Sequence, residues 1–231
     1  KLKLDTRVDV SELVGAGFDE VVLATGVRPR APDISGIDHP MVLSYLDVLR
    51  DEKPVGESVA VIGAGGIGFD VCEYLTHAGE SGAVAPTKFF EEWGVDTAYT
   101  QGGGLRRSQV ESPARRMHLL QRKSTKVGDQ LGKTTGWIHR TSLKVRQVAM
   151  SSGVSYDRID DEGLHVSVNG EAQVLKVDNV VVCAGQEPLR DLHDALTAKG
   201  LIVHLIGGAD VALELDAKQA ILQGARLGIR I

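Results

Sequence analysis

The chain is poor in aromatic side chains, in cysteine and in long apolar runs. Aromatic residues make up 4% of its 231 residues, too few for the stacking platforms on which single-stranded nucleic acid binds. Charge does not compensate. Lys and Arg number 26 against 31 Asp and Glu, a formal net charge of −5, which argues against nucleic acid or another polyanion as partner. Cysteine occurs at Cys72 and Cys183 alone, so the chain cannot by itself ligate an iron–sulfur cluster, which takes about four thiolates. Both lie in apolar helix or strand surroundings, where a buried structural thiol is expected, and a reducing cytoplasm fits. The seven histidines have no metal-ligand spacing. No apolar run approaches the length that spans a bilayer, and no signal-peptide pattern precedes the first strand. The expectation is a cytoplasmic chain with no membrane partner. It opens on Lys1 rather than Met, as a segment of a longer protein would.

What is present is an interrupted repeat. Residues Phe18 to Pro29 read FDEVVLATGVRP, and Val177 to Pro188 read VDNVVVCAGQEP. Asp19, Val21, Val22, Gly26 and Pro29 recur as Asp178, Val180, Val181, Gly185 and Pro188. Each copy is a short β-branched run closed by small residues, Gly and then Pro, the pattern of a buried parallel strand entering a turn. Hydrophobic content of 42% and charged content of 25% are ordinary for a globular protein. The length allows one large domain or two small ones, with a real core.

Along the chain, residues 8–16 suit a short helix closed by glycine. Asp19 to Thr25 is the first strand copy. Ser44 to Asp47 resembles a capping box opening a helix to about Arg50, and Lys53 to Ser58 reads as a linker. Ser58 to Ile62 is a strand, and a helix follows from about Gly66 to Ala78. Residues 79–114 break the rhythm and are expected to be an insertion, either a long loop or a lid. Arg115 to Gln121 resumes the sheet, and Trp137 to Val148 suits a helix. Leu164 to Val168, Asn169-Gly170 and Glu171 to Lys176 form a hairpin signal, because Asn-Gly supplies the positive φ angles of a type I′ turn. The second strand copy runs from Val180 to Ala184. Leu201 to Ile206 is a last strand and Leu213 to Leu227 a last helix.

Chemistry concentrates between the two copies. Gly63, Ala64, Gly65, Gly66, Ile67 and Gly68 form a GxGxxG turn between a strand and a helix. In a dinucleotide fold the first glycine makes the turn and the second admits the pyrophosphate. The third packs the helix on the strand, and the helix N-terminus faces the phosphates. The other reading is a degenerate turn kept for packing. The acid that would hold the ribose of NAD at the end of the next strand is missing. Gln121, Arg122 and Lys123 stand there, with Lys126 nearby. Cations without a carboxylate suit a 2′-phosphate, hence NADPH, unless they form a solvated basic surface. Gly128 to Thr134 imitates a P-loop one residue short and outside a strand–helix context, so an NTPase is rejected. Lys133 and Thr134 are assigned instead to the nicotinamide side of the cleft. Asp157, Asp160, Asp161 and Glu162 read as a solvated acidic turn. Asp210, after Gly207, Gly208 and Ala209, suits either a flavin-facing acid or a helix cap.

Together these pieces resemble the pyridine nucleotide–disulfide reductase type of flavoprotein, in which an FAD domain is split by an inserted NAD(P)H domain. The ATG motif closing its FAD half is matched by Ala24, Thr25 and Gly26. Its closing Gly-Asp motif is matched by Gly208 and Asp210 with Ala209 intervening. The segments GKTTGWIHR and LELDAKQAI, with VIGAGGIGFDV, LLQRK and DNVVVCAGQEP, look like the C-terminal part of the bacterial NADPH-dependent 2,4-dienoyl-CoA reductase family. The resemblance implies an α/β, Rossmann-like dinucleotide-binding domain over residues 54–188, with its insertion at 79–114. That domain is set into an incomplete FAD domain formed by 1–53 and 189–231. Gly185, like Gly26, is implied at a cofactor. The implied partner is the protein's own N-terminal (β/α)8 barrel, with FMN, a 4Fe–4S cluster and the first FAD glycine motif lying outside this chain. The alternative is a structural ADP- or dinucleotide-binding domain of a trimethylamine dehydrogenase-like or ene-reductase flavoprotein.

Overall fold

The computed structural model describes residues 1–212 and 216–231. The first segment carries α1 (Val10–Gly15), β1 (Glu20–Leu23) and β2 (Val27–Pro29). The middle of the chain begins with β3 (Val42–Ser44), α2 (Tyr45–Leu49), β4 (Ser58–Ile62), α3 (Gly66–Thr76) and α4 (Pro86–Trp93). It continues through β5 (Arg116–Leu120), α5 (Gly136–Val145) and β6 (Ala149–Ser151). Strands β7 (Val154–Asp160), β8 (Gly163–Val168), β9 (Glu171–Leu175) and β10 (Asn179–Val182) complete it. The last segment holds β11 (Gln186–Pro188), α6 (His193–Ala198), β12 (Ile202–Leu205) and α7 (Ala217–Gly228). Two compact units result, one of residues 31–184 and one of 1–30 with 185–231.

The central unit is built on a five-stranded parallel sheet in the order β3-β10-β4-β5-β6. Every residue of β4 is buried, which its uninterrupted apolar run from Val59 to Ile62 dictates for a strand covered on both faces. Alternate residues divide between the faces. Val59 and Val61 meet Phe69, Val71, Cys72 and Leu75 of α3 and Leu143 of α5, while Ala60 and Ile62 meet Leu164 and Val166 of β8. The antiparallel meander β7-β8-β9 thus covers one face and helices the other. Its β8–β9 turn is the expected Asn169-Gly170, with φ of 52° and 88°.

Side chains tie the sheet's start. Asp178 accepts from the Ser58 N–H at 2.8 Å, and Asn179 accepts from that of Gly56 at 2.9 Å. Arg115 donates to the carbonyls of Gly56 at 3.1 Å and Leu75 at 3.2 Å. The capping box at Ser44 and Asp47 is present and opens α2.

The boundaries expected at 53/54 and 188/189 differ from the observed division after Arg30 and after Ala184. Residues 31–53 join the central unit because β3 pairs with β10 along Val42, Leu43 and Ser44, a long-range pairing that local composition does not announce. The insertion is not a bare loop. Pro86 opens α4 and Gly94, at φ 66°, closes it. Asp96 then organises the next turn, accepting from the N–H groups of Ala98, Thr100 and Gln101. Arg146 pairs with Glu92 at 3.3 Å, both side chains largely buried. Strands β6 and β7 were not expected from the sequence.

In the other unit, β1 pairs in parallel with β12, and β2 pairs antiparallel with β11. Among the described residues its core is Val21, Leu23 and Leu196, with partly buried neighbours such as Leu13 and Val203. Helix α7 begins at Ala217, capped by Asp216, which accepts from the Gln219 N–H at 2.8 Å. The earlier start expected for it, at Leu213 to Leu215, lies outside the described residues.

Candidate functional site

The glycine turn follows β4 directly. Gly63 turns at φ +108°, and a Cβ there would lie 2.5 Å from the Cys183 carbonyl oxygen. A Cβ on Gly68, in the first turn of α3, would lie 1.9 Å from the Gly63 oxygen. Both positions exclude any other residue on packing grounds. Gly65 and Gly66 differ, because nothing comes within 4 Å of a Cβ built on either. They bare the backbone to open space at the N-terminus of α3, where no side chain caps the first turn. The N–H groups of that turn, which have no partner within the helix, and the helix dipole favour an anion there. Ala64 and Ile67 pack inward against the core. From β4 the chain crosses by α3 to β5, while β10 pairs with β4's other edge. The turn therefore sits at the switch point of the sheet, the place where open α/β sheets take their ligands.

The neighbouring loop follows β5. Ile62 and Leu120 are register partners, so Gly63 and Gln121 leave adjacent strands side by side, and the Gly63 N–H donates to the Leu120 carbonyl at 2.9 Å. Gln121 is an organiser that sequence reasoning passed over. Its amide nitrogen donates to the carbonyls of Thr125 at 2.8 Å and Lys123 at 3.1 Å, and its amide oxygen accepts from the Gly128 N–H at 3.2 Å. Arg122, Lys123 and Lys126 stand exposed on the loop so closed. Gly128 has φ +71°, and a Cβ there would meet the Phe69 ring at 2.7 Å. Lys133 lies exposed in the turn leading into α5, where Gly136 N–H donates to the Gly132 carbonyl at 2.7 Å.

Neither cysteine offers chemistry. Both are buried in the helix-side core. Burial pushes the Cys72 thiol well up and the Cys183 thiol up to about 12, so neither is a thiolate at neutral pH. Among the described residues, Asp160, Glu162 and His165 bring ligand atoms within 4.8 Å of one another. Asp160 is already committed to Arg158 at 2.9 Å and His165 at 2.8 Å, and these contacts, the His165 hydrogen bond foremost, lower its carboxyl to about 2.

A second cluster lies within the other unit. Thr25 donates to the Leu189 carbonyl, and the Leu189 N–H donates to that of Gly26 at 3.0 Å. A Cβ on Gly208 would meet Val27 at 2.6 Å and the Gly26 carbonyl carbon at 3.0 Å, so Gly26 and Gly208 are in close backbone approach. Asp210 accepts from Gln223 at 2.9 Å, and Gln223 in turn accepts from the Gly207 N–H at 2.6 Å. Asp210 does not cap α7, a role Asp216 fills. Ala24 is exposed beside Thr25. Gly185, at φ +101°, accepts from the Arg30 N–H at 3.1 Å. The fifteen residues singled out in sequence thus fall into one group around the β4 and β5 ends and one around Gly26, Gly208 and Asp210, with Gly185 and Lys133 on separate turns.

Residues 2–215 match the family described as pyridine nucleotide-disulphide oxidoreductase. The chain is 25% identical over 199 residues to a metal reductase of Desulforamulus reducens, covering 83% of this chain and 28% of that protein. It is 26% identical over 210 residues to a cinnamate reductase of Clostridium sporogenes, covering 91% and 26%. A solved 2-naphthoyl-CoA reductase in complex with 2-naphthoyl-CoA superposes with a TM-score of 0.76 at 23% identity, covering 100% of this chain and 30% of that one. The chain therefore spans between a quarter and a third of the length of these proteins. Among the described residues no helix is long and apolar enough to cross a membrane.

Proposed function

The chain belongs to the pyridine nucleotide-disulphide oxidoreductase family, and from that premise we propose that its central unit is the NADPH-binding, electron-input domain of a longer flavoprotein reductase. The observation that carries this reading is the turn from Gly63 to Gly68. Two of its glycines are held by backbone contact and two stay open at an uncapped helix N-terminus. Gly65, Gly66 and the first-turn N–H groups of α3 would hold the pyrophosphate, with Ala64 and Ile67 fixing the turn on the core. Arg122 and Lys123 would take the 2′-phosphate, and Lys133 would lie toward the nicotinamide. When bound, the nicotinamide supplies a hydride and the flavin accepts it.

In the other unit, Ala24, Thr25, Gly26, Gly208 and Asp210 fit one side of an FAD site, with Gly185 as the matching glycine of the second copy. The chain has a single GxGxxG, so these residues are the smaller part of such a site. The longer protein is proposed to be a cytoplasmic 2,4-dienoyl-CoA reductase whose barrel, FMN and 4Fe–4S cluster lie outside this chain. Support comes from the quoted segments and from relatives named for reducing an unsaturated carboxylate and an aromatic CoA thioester.

Titration of the 231-residue chain with NADPH and NADH tests the reading. NADPH should bind at least about tenfold more tightly, the worth of one charge-assisted contact. Equal affinities, or tighter NADH, would defeat it. The FAD assignment predicts a chain that purifies without stoichiometric flavin. For the longer protein, NADPH oxidation driven by a 2,4-dienoyl-CoA and not by free cinnamate is expected, and the reverse would favour a cinnamate-type reductase.

A further inference from the structure

We infer that Gln121 is the positioning residue that sets the cofactor preference of the site. This rests on the NADPH reading above and deepens it. An acid at the end of β5 would reach for ribose hydroxyls, but the Gln121 amide is spent on the protein itself. Its nitrogen donates to the carbonyls of Lys123 and Thr125, and its oxygen accepts from the Gly128 N–H. All three bonds close the loop that carries Arg122, Lys123 and Lys126. The Gln121 backbone is anchored as well, its N–H donating to the Ser151 carbonyl at 2.8 Å and its carbonyl accepting from Val154 at 3.0 Å.

The far end of the loop is fixed to the glycine turn. Gly128 seats against the Phe69 ring, and the Phe69 N–H donates to the Gly65 carbonyl at 3.1 Å. The cations are therefore held at a set place relative to Gly65 and Gly66. A cation on a loose loop loses side-chain and backbone freedom on meeting a phosphate, and a cation on a closed loop has already lost it. Gln121 is uncharged and is not itself placed on the phosphate. It acts through Arg122 and Lys123.

The test is a thermodynamic cycle on the 231-residue chain, with NADPH, NADH, adenosine 2′,5′-bisphosphate and AMP as probes. Q121A should weaken NADPH and the bisphosphate about tenfold while leaving NADH and AMP within about twofold. Q121E keeps the acceptor toward Gly128 but turns a carboxylate oxygen to the Lys123 and Thr125 carbonyls, so it should lose the preference too, with the fold checked by circular dichroism. In R122A/K123A, adding Q121A should change nothing further, because the groups it positions are gone. A merely structural Gln121 would weaken all four probes alike, and independent action would give additive losses. Either result overturns the inference, as does an unchanged NADPH-to-NADH ratio in Q121A. If the wild-type chain shows no preference for NADPH, the proposed function falls first and the inference with it. If it shows one that survives Q121A and Q121E, the inference alone falls.

Discussion

The two copies of the repeat share a sequence pattern and not an environment. In β10 the run Asn179 to Val182 is flanked by β3 and β4, and Val180 and Val181 are fully buried. In β1 the run Glu20 to Leu23 pairs with β12, and only alternate residues are buried, Val22 being 38% exposed. Asp178 ties down the Ser58 N–H, whereas its counterpart Asp19 lies exposed. The tails of the copies, β2 and β11, pair with each other, each entered through a glycine at positive φ, Gly26 and Gly185. One pattern thus serves a central strand in a complete sheet and a strand of a two-stranded one. A β-branched run ending in Gly specifies a strand and its exit, while its burial is set by neighbours far away in sequence.

Substitutions in the two units can break or sharpen that contrast. Gly68→Ala drives a Cβ to 1.9 Å from a backbone oxygen, so it should cost the central unit about 3 kcal/mol and abolish NADPH binding. Urea unfolding followed by Trp93 and Trp137, both in that unit, reads the loss directly. Next, Val181→Ala should cost about 2 kcal/mol, and the matching Val22→Ala under about 0.5 kcal/mol. Amide hydrogen exchange resolves the units separately, and equal losses at the two positions would erase the comparison.

Ser44→Ala removes the cap of α2, worth about 1 kcal/mol. Protection should then fall in β3 and β10 and not in β1, since residues 31–53 belong with the central unit. Acid sensitivity gives a further test. Burial alone would push Asp47 up, yet Lys53 and Ser44 hold it down at about 2. A depressed carboxyl contributes stability above its ordinary value and loses it as pH falls through the folded one. The central unit should therefore weaken between about pH 4 and pH 2, and D47N should flatten that slope.

Much of this was legible where the signal was local. Strand β4, the glycine turn, the Ser44 capping box and the Asn169-Gly170 hairpin each carry their determinants within a few residues. What was missed depends on distance. Residues 31–53 change unit because of β3–β10 pairing. Asp210 is oriented by Gln223 from α7, and the role of Gln121 exists only once its loop folds back to Gly128. Helix α4 was within reach of the sequence, since Pro86 and Gly94 bracket it, but weak periodicity hid it. Strand β7 was hidden by the acids Asp157 and Asp160, which look like a solvated turn until their hydrogen bonds to Ser167 and His165 of β8 are seen.

If, as proposed, the second copy of the repeat closes a dinucleotide site and the first does not, the two units should respond differently to NADPH. Amide hydrogen exchange of the chain with and without saturating NADPH tests it in one experiment. New protection is expected over residues 63–69 and 121–128, and none over 1–30 or 185–231. Protection absent from the glycine turn, or confined to the two end segments, would contradict it.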